Sequence, residues 1–154
     1  MLRPEDFFDL EGCEHRAVFD GAEYVWEPLK RLQEYLKETL RPEIKGQVAE
    51  TAVVQEDVFI GEGTIVEPGA MIMGPTIIGR NCQIRQGAYI RGVCLIGDGA
   101  VVGHCTEVKG SILLPKAGAP HFNYVGDSIL GAKANLGAGS ILSNFKLTGE
   151  EVVV

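Results

Sequence analysis

His121 is the side chain best suited to move a proton. An imidazole changes charge near neutrality, and when neutral it can take a proton from an amine or hydroxyl that attacks a carbonyl. It lies in Pro120-His121-Phe122-Asn123-Tyr124-Val125-Gly126-Asp127, where four hydrogen-bonding side chains fall within seven residues of an otherwise aliphatic, glycine-rich region. On composition alone, a histidine that caps a loop fits as well as a catalytic one. Arg91 and Lys109 stand 18 residues apart, each directly after an aliphatic residue, Ile90 and Val108. If the chain repeats with that period, the two cations are stacked neighbours that can clamp one phosphate. Two solvated surface charges are the alternative, and spacing does not choose between them. Both possibilities depend on an element that brings residues 18 apart together.

Such an element is visible. Eleven aliphatic residues recur at intervals of six, from Val48, Val54 and Ile60 through Ile90 and Ile96 to Val102 and Val108, and Leu114 extends the run. Neither a helix nor a simple strand has this period, so it is a structural repeat. A small or β-branched residue follows four places later, as at Val58, Thr64, Ala70, Cys82, Cys94 and Thr106. Each hexad therefore makes a short strand and a turn, and three hexads close one triangular coil of a parallel β-helix. Ile60, Ile78 and Ile96 should stack as one inward column, and Ile72, Ile90 and Val108 as another. Coils lie ~4.8 Å apart, within reach of one anion for Arg91 and Lys109.

The rest of the chain frames this all-β solenoid. Residues 1–45 form an N-terminal segment with one helix, about Glu27 to Leu40, opened by Pro28 and closed by Arg41-Pro42. Its stripe, Leu29, Leu32, Leu36 and Leu40, is expected to cap the open first coil. The β-helix occupies 46–154. Tyr124, Leu130, Leu136 and Leu142 resume the spacing of six with an offset of four, which predicts a loop extruded at 115–121. The pattern stops at Val154 without a cap, so the chain is expected to be truncated, or else Glu151–Val154 to be an edge strand under another subunit. Cys13, Cys82, Cys94 and Cys105 show no metal-ligand spacing, and no metal is expected. The net charge of −7 argues against nucleic acid. No apolar run approaches the ~20 residues of a membrane span and no signal core is present, so a cytoplasmic protein is expected.

From Arg91 to Asn144 the chain resembles the C-terminal acetyltransferase domain of the bifunctional N-acetylglucosamine-1-phosphate uridyltransferase/glucosamine-1-phosphate acetyltransferase. It is similar also to related sugar-phosphate nucleotidyltransferases of archaea and other bacteria that carry such a domain. The matching stretches are Ile90-Arg91-Gly92, Glu107-Val108-Lys109, His121-Phe122-Asn123-Tyr124-Val125-Gly126-Asp127 and Asn135-Leu136-Gly137-Ala138-Gly139-Ser140. The resemblance implies a left-handed coil and a homotrimer with sites between subunits, to which loops such as 115–120 contribute. It implies acetyl-CoA as co-substrate and an amino-sugar phosphate as acceptor. It makes His121 the general base, Arg91 and Lys109 the phosphate clamp, and Tyr124 and Asn135 sugar contacts. Asn144 would place the amine beside the thioester, and Glu107 would orient a neighbouring cation or His121. The alternatives are a non-catalytic sugar-phosphate-binding or regulatory module, or an O-acyltransferase with another acceptor. The family's Asn-Tyr-Asp-Gly reads Asn144-Phe145-Lys146-Leu147 here, and no Gly-rich nucleotide loop precedes the repeat, so nucleotidyltransferase activity is not expected of this chain.

Overall fold

The structure, a computed structural model, describes residues 2–150. Every strand pairs in parallel and the three sheets take successive strands in rotation, save in the last coil, where the second face contributes only a bridge at Asn135, the topology of a solenoid of six coils. The first face holds Glu43–Ile44, Val58–Ile60, Thr76–Ile78, Cys94–Ile96, Ile112–Leu113 and Ile129–Leu130. The second holds Gln47–Val48, Ile65–Val66, Gln83–Ile84, Val101–His104 and Gly118–His121. The third holds Val53–Val54, Met71–Met73, Tyr89–Arg91, Glu107–Lys109, Tyr124–Gly126 and Ile141–Leu142. The inward columns form as the spacing predicts. Ile60, Ile78 and Ile96 pair in register, as do Ile72, Ile90 and Val108, and all six are buried. The small position is buried as well, and its polar members bond to backbone carbonyls: Thr64 Oγ1 donates to Gly79 O at 2.7 Å.

Two expectations change. No loop is extruded at 115–121. Ile96 pairs with Leu113, Val102 with Ala119, Val108 with Val125 and Leu113 with Leu130, each a step of 17 residues instead of 18. Leu113, not Leu114, continues the inward column. One residue is dropped at the corner between the third and first faces, where Gly110-Ser111 fills the place of Gly92-Val93-Cys94 in the coil before. Asp127-Ser128 repeats the short corner one coil on. Pro120, expected in a loop, runs in a strand so close to the coil beneath that a Cβ at Gly103 would lie 1.6 Å from its carbonyl oxygen.

The helix, α1, spans Glu27–Thr39, as the sequence suggests, but it does not cap the first coil. Leu32 and Leu36, with Leu10, Val18 and Phe19, pack on the outer side of the first face, against Phe59, Ile77, Leu95, Ile112 and Ile129. Those five are the outward neighbours of the inward Ile60, Ile78, Ile96, Leu113 and Leu130. The first sheet is therefore apolar on both sides, as a sheet covered on both sides must be. The edge of the first coil stays open, with Ile44, the register partner of the inward Ile60, exposed. The expected edge strand at Glu151–Val154 lies outside the described residues. Among the described residues, no helix is long and apolar enough to cross a membrane.

Burial sorts the thiols. Cys94, wholly enclosed at the corner between third and first faces, has its pKa pushed by desolvation from 9.0 up to about 12, and burial raises Cys82 as well. Cys105 is exposed. A thiol alkylating reagent is expected to modify native protein at Cys105, and Cys94 only after unfolding, as read by peptide mass spectrometry. The linkage follows: above pH 9 the unfolded chain releases the Cys94 proton while the folded chain keeps it. Stability present below pH 9 is then lost as pH rises toward about 12, and thermal midpoints measured across that window should fall.

Candidate functional site

The third face brings most of the candidate residues together. Tyr89, Glu107 and Tyr124 form one outward row on successive coils, paired in register. Arg91 and Lys109 stand one pleat further along, on adjacent coils as the 18-residue echo requires. Two cations that close repel each other, and here each is met by a carboxylate. Arg91 Nη1 donates to Glu107 Oε1 at 2.7 Å, and that bond raises the guanidinium pKa further. Lys109 Nζ donates to both carboxylate oxygens of Asp127, at 3.0 and 3.3 Å. These pairs are well exposed, with side-chain accessibilities between 34 and 48%. Surface pairs of this kind contribute only about 0–1 kcal/mol, so an anionic ligand could displace either carboxylate at small cost.

The network continues to Tyr124 through Asn144. Asn144 Nδ2 donates to Asp127 Oδ2, and Asn144 Oδ1 accepts from Tyr124 Oη at 3.4 Å. Gly126 makes this possible, since a Cβ there would sit 2.7 Å from Tyr124 Oη and 2.8 Å from Asn144 Nδ2. The phenol lies across the bare backbone instead of standing off the sheet.

His121 ends its strand on the second face, at the corner that turns into Tyr124. That corner is held hard. Phe122 sits in the left-handed region at φ 50°. Asn123 is 3% exposed; its Oδ1 accepts the His121 N–H at 3.0 Å and its Nδ2 donates to Gly137 O at 2.8 Å. Asn123, counted in the sequence among the polar side chains around His121, is thus a brace for the corner. The imidazole itself is exposed. One coil below, His104 pairs with it in register, with Nδ1 3.1 Å from Gln86 O and its ring edge-on to Phe122. One coil above, Gly137-Ala138-Gly139 runs past, and Gly139 N donates to His121 O at 3.0 Å. No side chain larger than a methyl comes from that stretch, so a reacting carbonyl would have room beside the imidazole.

Arg91, Glu107, Lys109, Tyr124 and Asn144 therefore share one face, with His121 at its adjoining corner. Asn135 does not join them. It is bridged to Gly118, at the far end of the second-face strand that His121 ends, about 10 Å away along three residues of strand. Asp127 is the residue whose part the sequence reading left unassigned. It ties Lys109 to Asn144 from the corner just past Gly126, the register partner of Lys109, where the shortened coil takes it out of the 18-residue echo.

Comparison with known proteins adds a lineage. Residues 72–154 match the family model described as the GMPPB C-terminal domain. The bifunctional protein GlmU of Methanococcus maripaludis is 34% identical over 145 residues, covering 94% of this chain and 35% of that protein. The bifunctional protein GlmU of Methanocaldococcus jannaschii is 36% identical over 145 residues, with the same coverage of 94% and 35%. The chain thus spans about a third of the length of the curated relatives it matches. Among solved structures, a hexapeptide transferase family protein from Anaplasma phagocytophilum shares 24% identity at a TM-score of 0.34, over 62% of this chain and 68% of that one. PerB from Caulobacter crescentus, solved with CoA and GDP-perosamine, shares 22% at a TM-score of 0.33, over 75% and 59%.

Proposed function

The chain belongs to the family of GMPPB C-terminal domains, and from that premise we propose that it acts as an acetyl-CoA-dependent N-acetyltransferase on an amino-sugar phosphate. The observation that carries this reading is the third face: two cations on adjacent coils at one end, Tyr124 and Asn144 along it, and His121 at the corner beyond. A sugar phosphate fits that polarity, with the phosphate at Arg91 and Lys109 and the amine toward His121. From Lys109 to Glu107 the strand covers about 7 Å, and the corner to His121 adds the remainder.

In the proposed step His121 accepts a proton from the sugar nitrogen as its lone pair attacks the thioester carbonyl of acetyl-CoA. The C–N bond forms, the C–S bond breaks, and the CoA thiolate takes up the proton that His121 carries. Backbone N–H groups stabilise the tetrahedral oxyanion, and no cysteine nucleophile is needed. The small stretch Gly137-Ala138-Gly139 beside His121 is consistent with a thioester approaching there. Tyr124 and Asn144 orient the sugar, Glu107 holds Arg91, and Asn135, remote within one chain, serves a neighbouring subunit's site in a homotrimer.

The exposed Arg91–Glu107 and Lys109–Asp127 pairs are equally what a sugar-phosphate-binding module without catalysis would show. Calorimetry separates the two readings. The enzyme binds acetyl-CoA and releases CoA only when glucosamine-1-phosphate is present; the module binds the sugar phosphate and ignores acetyl-CoA. Neither acetyl-CoA binding nor CoA release would overturn the enzymatic reading, and a monomer mass by light scattering would overturn the trimer.

A further inference from the structure

A cavity of about 420 Å³ opens where α1 crosses the corner between the third and first faces. Its solenoid wall carries Arg91 and Lys109, and its helix wall carries Lys30 and Gln33. Asp127 is the one carboxylate among its lining residues. Three cations against one carboxylate leave the wall two charges positive. Counting Glu107, which holds Arg91 from outside the cavity, the excess is still one.

Lys30 is exposed and forms no salt bridge among the described residues. The acid nearest along its helix, Glu27, forms no ion pair with it: its carboxylate accepts the backbone N–H groups of Glu23 and Tyr24 at 2.7 and 3.2 Å, and Lys30 reaches it only through its field. The helix turn that carries Lys30 is held in place. Leu29 and Leu32, its neighbours on α1, pack into the apolar layer on the first face, where Val93 of the same corner joins them. Gln33 lies three residues on, on the same side of the helix, and its amide can donate to an oxygen in the cavity. A phosphate monoester carries about 1.5 to 2 negative charges at neutral pH, which matches the excess of the wall.

Resting on the proposed phosphate clamp, we infer that Lys30 is its third cation, so that α1, anchored on a different face, completes the acceptor site. Lys30 acts on the phosphate alone and is a specificity-determining residue: it favours phosphorylated amino sugars over free ones and takes no part in the proton transfer.

Calorimetry at low salt with glucosamine-1-phosphate and with free glucosamine tests this on wild type, Lys30→Gln, Arg91→Gln and Lys37→Gln. Lys37 lies further along the same helix, paired with Glu34, and controls for net charge. Losing one charge-assisted contact of this exposure should weaken binding of the ester roughly two- to fivefold in Lys30→Gln. The free sugar should be unaffected, and Lys37→Gln should match wild type. Lys30→Gln binding the ester as wild type does, while Arg91→Gln fails to, would overturn the inference and leave the clamp standing. Wild type that binds ester and free sugar alike would overturn the clamp and the inference together. Equal weakening in Lys30→Gln and Lys37→Gln would also overturn it, by reducing Lys30 to a diffuse charge.

Discussion

His121→Ala is expected to lower acetyl transfer by about 10²–10⁴-fold, the usual contribution of a positioned general base, with acetyl-CoA and sugar-phosphate binding nearly unchanged. The fold should survive, because the imidazole is exposed and the hydrogen bonds recorded at this residue come from its backbone, to Asn123 Oδ1 and from Gly139 N. Steady-state rates on the purified variant, with binding measured in parallel, provide the check. A variant within about threefold of wild type would remove His121 from the chemistry. His104 is the natural competitor, one coil below. It is committed to Gln86 O and to the edge of Phe122, so His104→Ala should cost far less than His121→Ala.

The second large effect concerns stability. Leu95 points outward from its strand, away from the solenoid interior, and on an uncovered face its replacement would be nearly silent. It is instead 2% exposed beneath α1. Leu95→Ala should therefore destabilise by about 2–5 kcal/mol, the range for a buried leucine. Leu95→Asp, which buries an unpaired charge, should leave little folded protein. Ile65, also outward but 48% exposed on the second face, is the control, and Ile65→Ala should change stability by about 0.5 kcal/mol or less. Chemical denaturation of the three variants decides it. Equal tolerance at Leu95 and Ile65 would mean that α1 does not hold the first face.

Leu95 also shows where sequence reading succeeded and where it stopped. The inward columns were legible because a period of six has no competing explanation in helix or strand. The shortened corner was not, because Ile112-Leu113-Leu114 offers three aliphatic residues in a row. Leu114 kept the count of six alive while Leu113 took the inward place. The slip then surfaced ten residues later as an apparent insertion before Tyr124, although Val125 is the inward residue there. The helix was found but given the wrong partner. The outward residues Phe59, Ile77, Leu95, Ile112 and Ile129 carried the missing signal, since only on that face does an apolar residue precede the inward one on five successive coils. On the third face, Arg91 and Lys109 were brought together by periodicity. Asp127 was not, because the shortened corner takes it out of register with Lys109, and Lys30 was not, because the contact of α1 with that corner follows from packing that no repeat encodes.

The corner that shortens from Gly92-Val93-Cys94 to Gly110-Ser111 works as a slack joint in an otherwise rigid winding. Strands on all three faces stay in register across it, so a residue can be gained or lost there without disturbing the stack. The two cations stand at its lip. Its length can therefore vary from one coil to the next while Arg91 and Lys109 keep their places at the end of the third face.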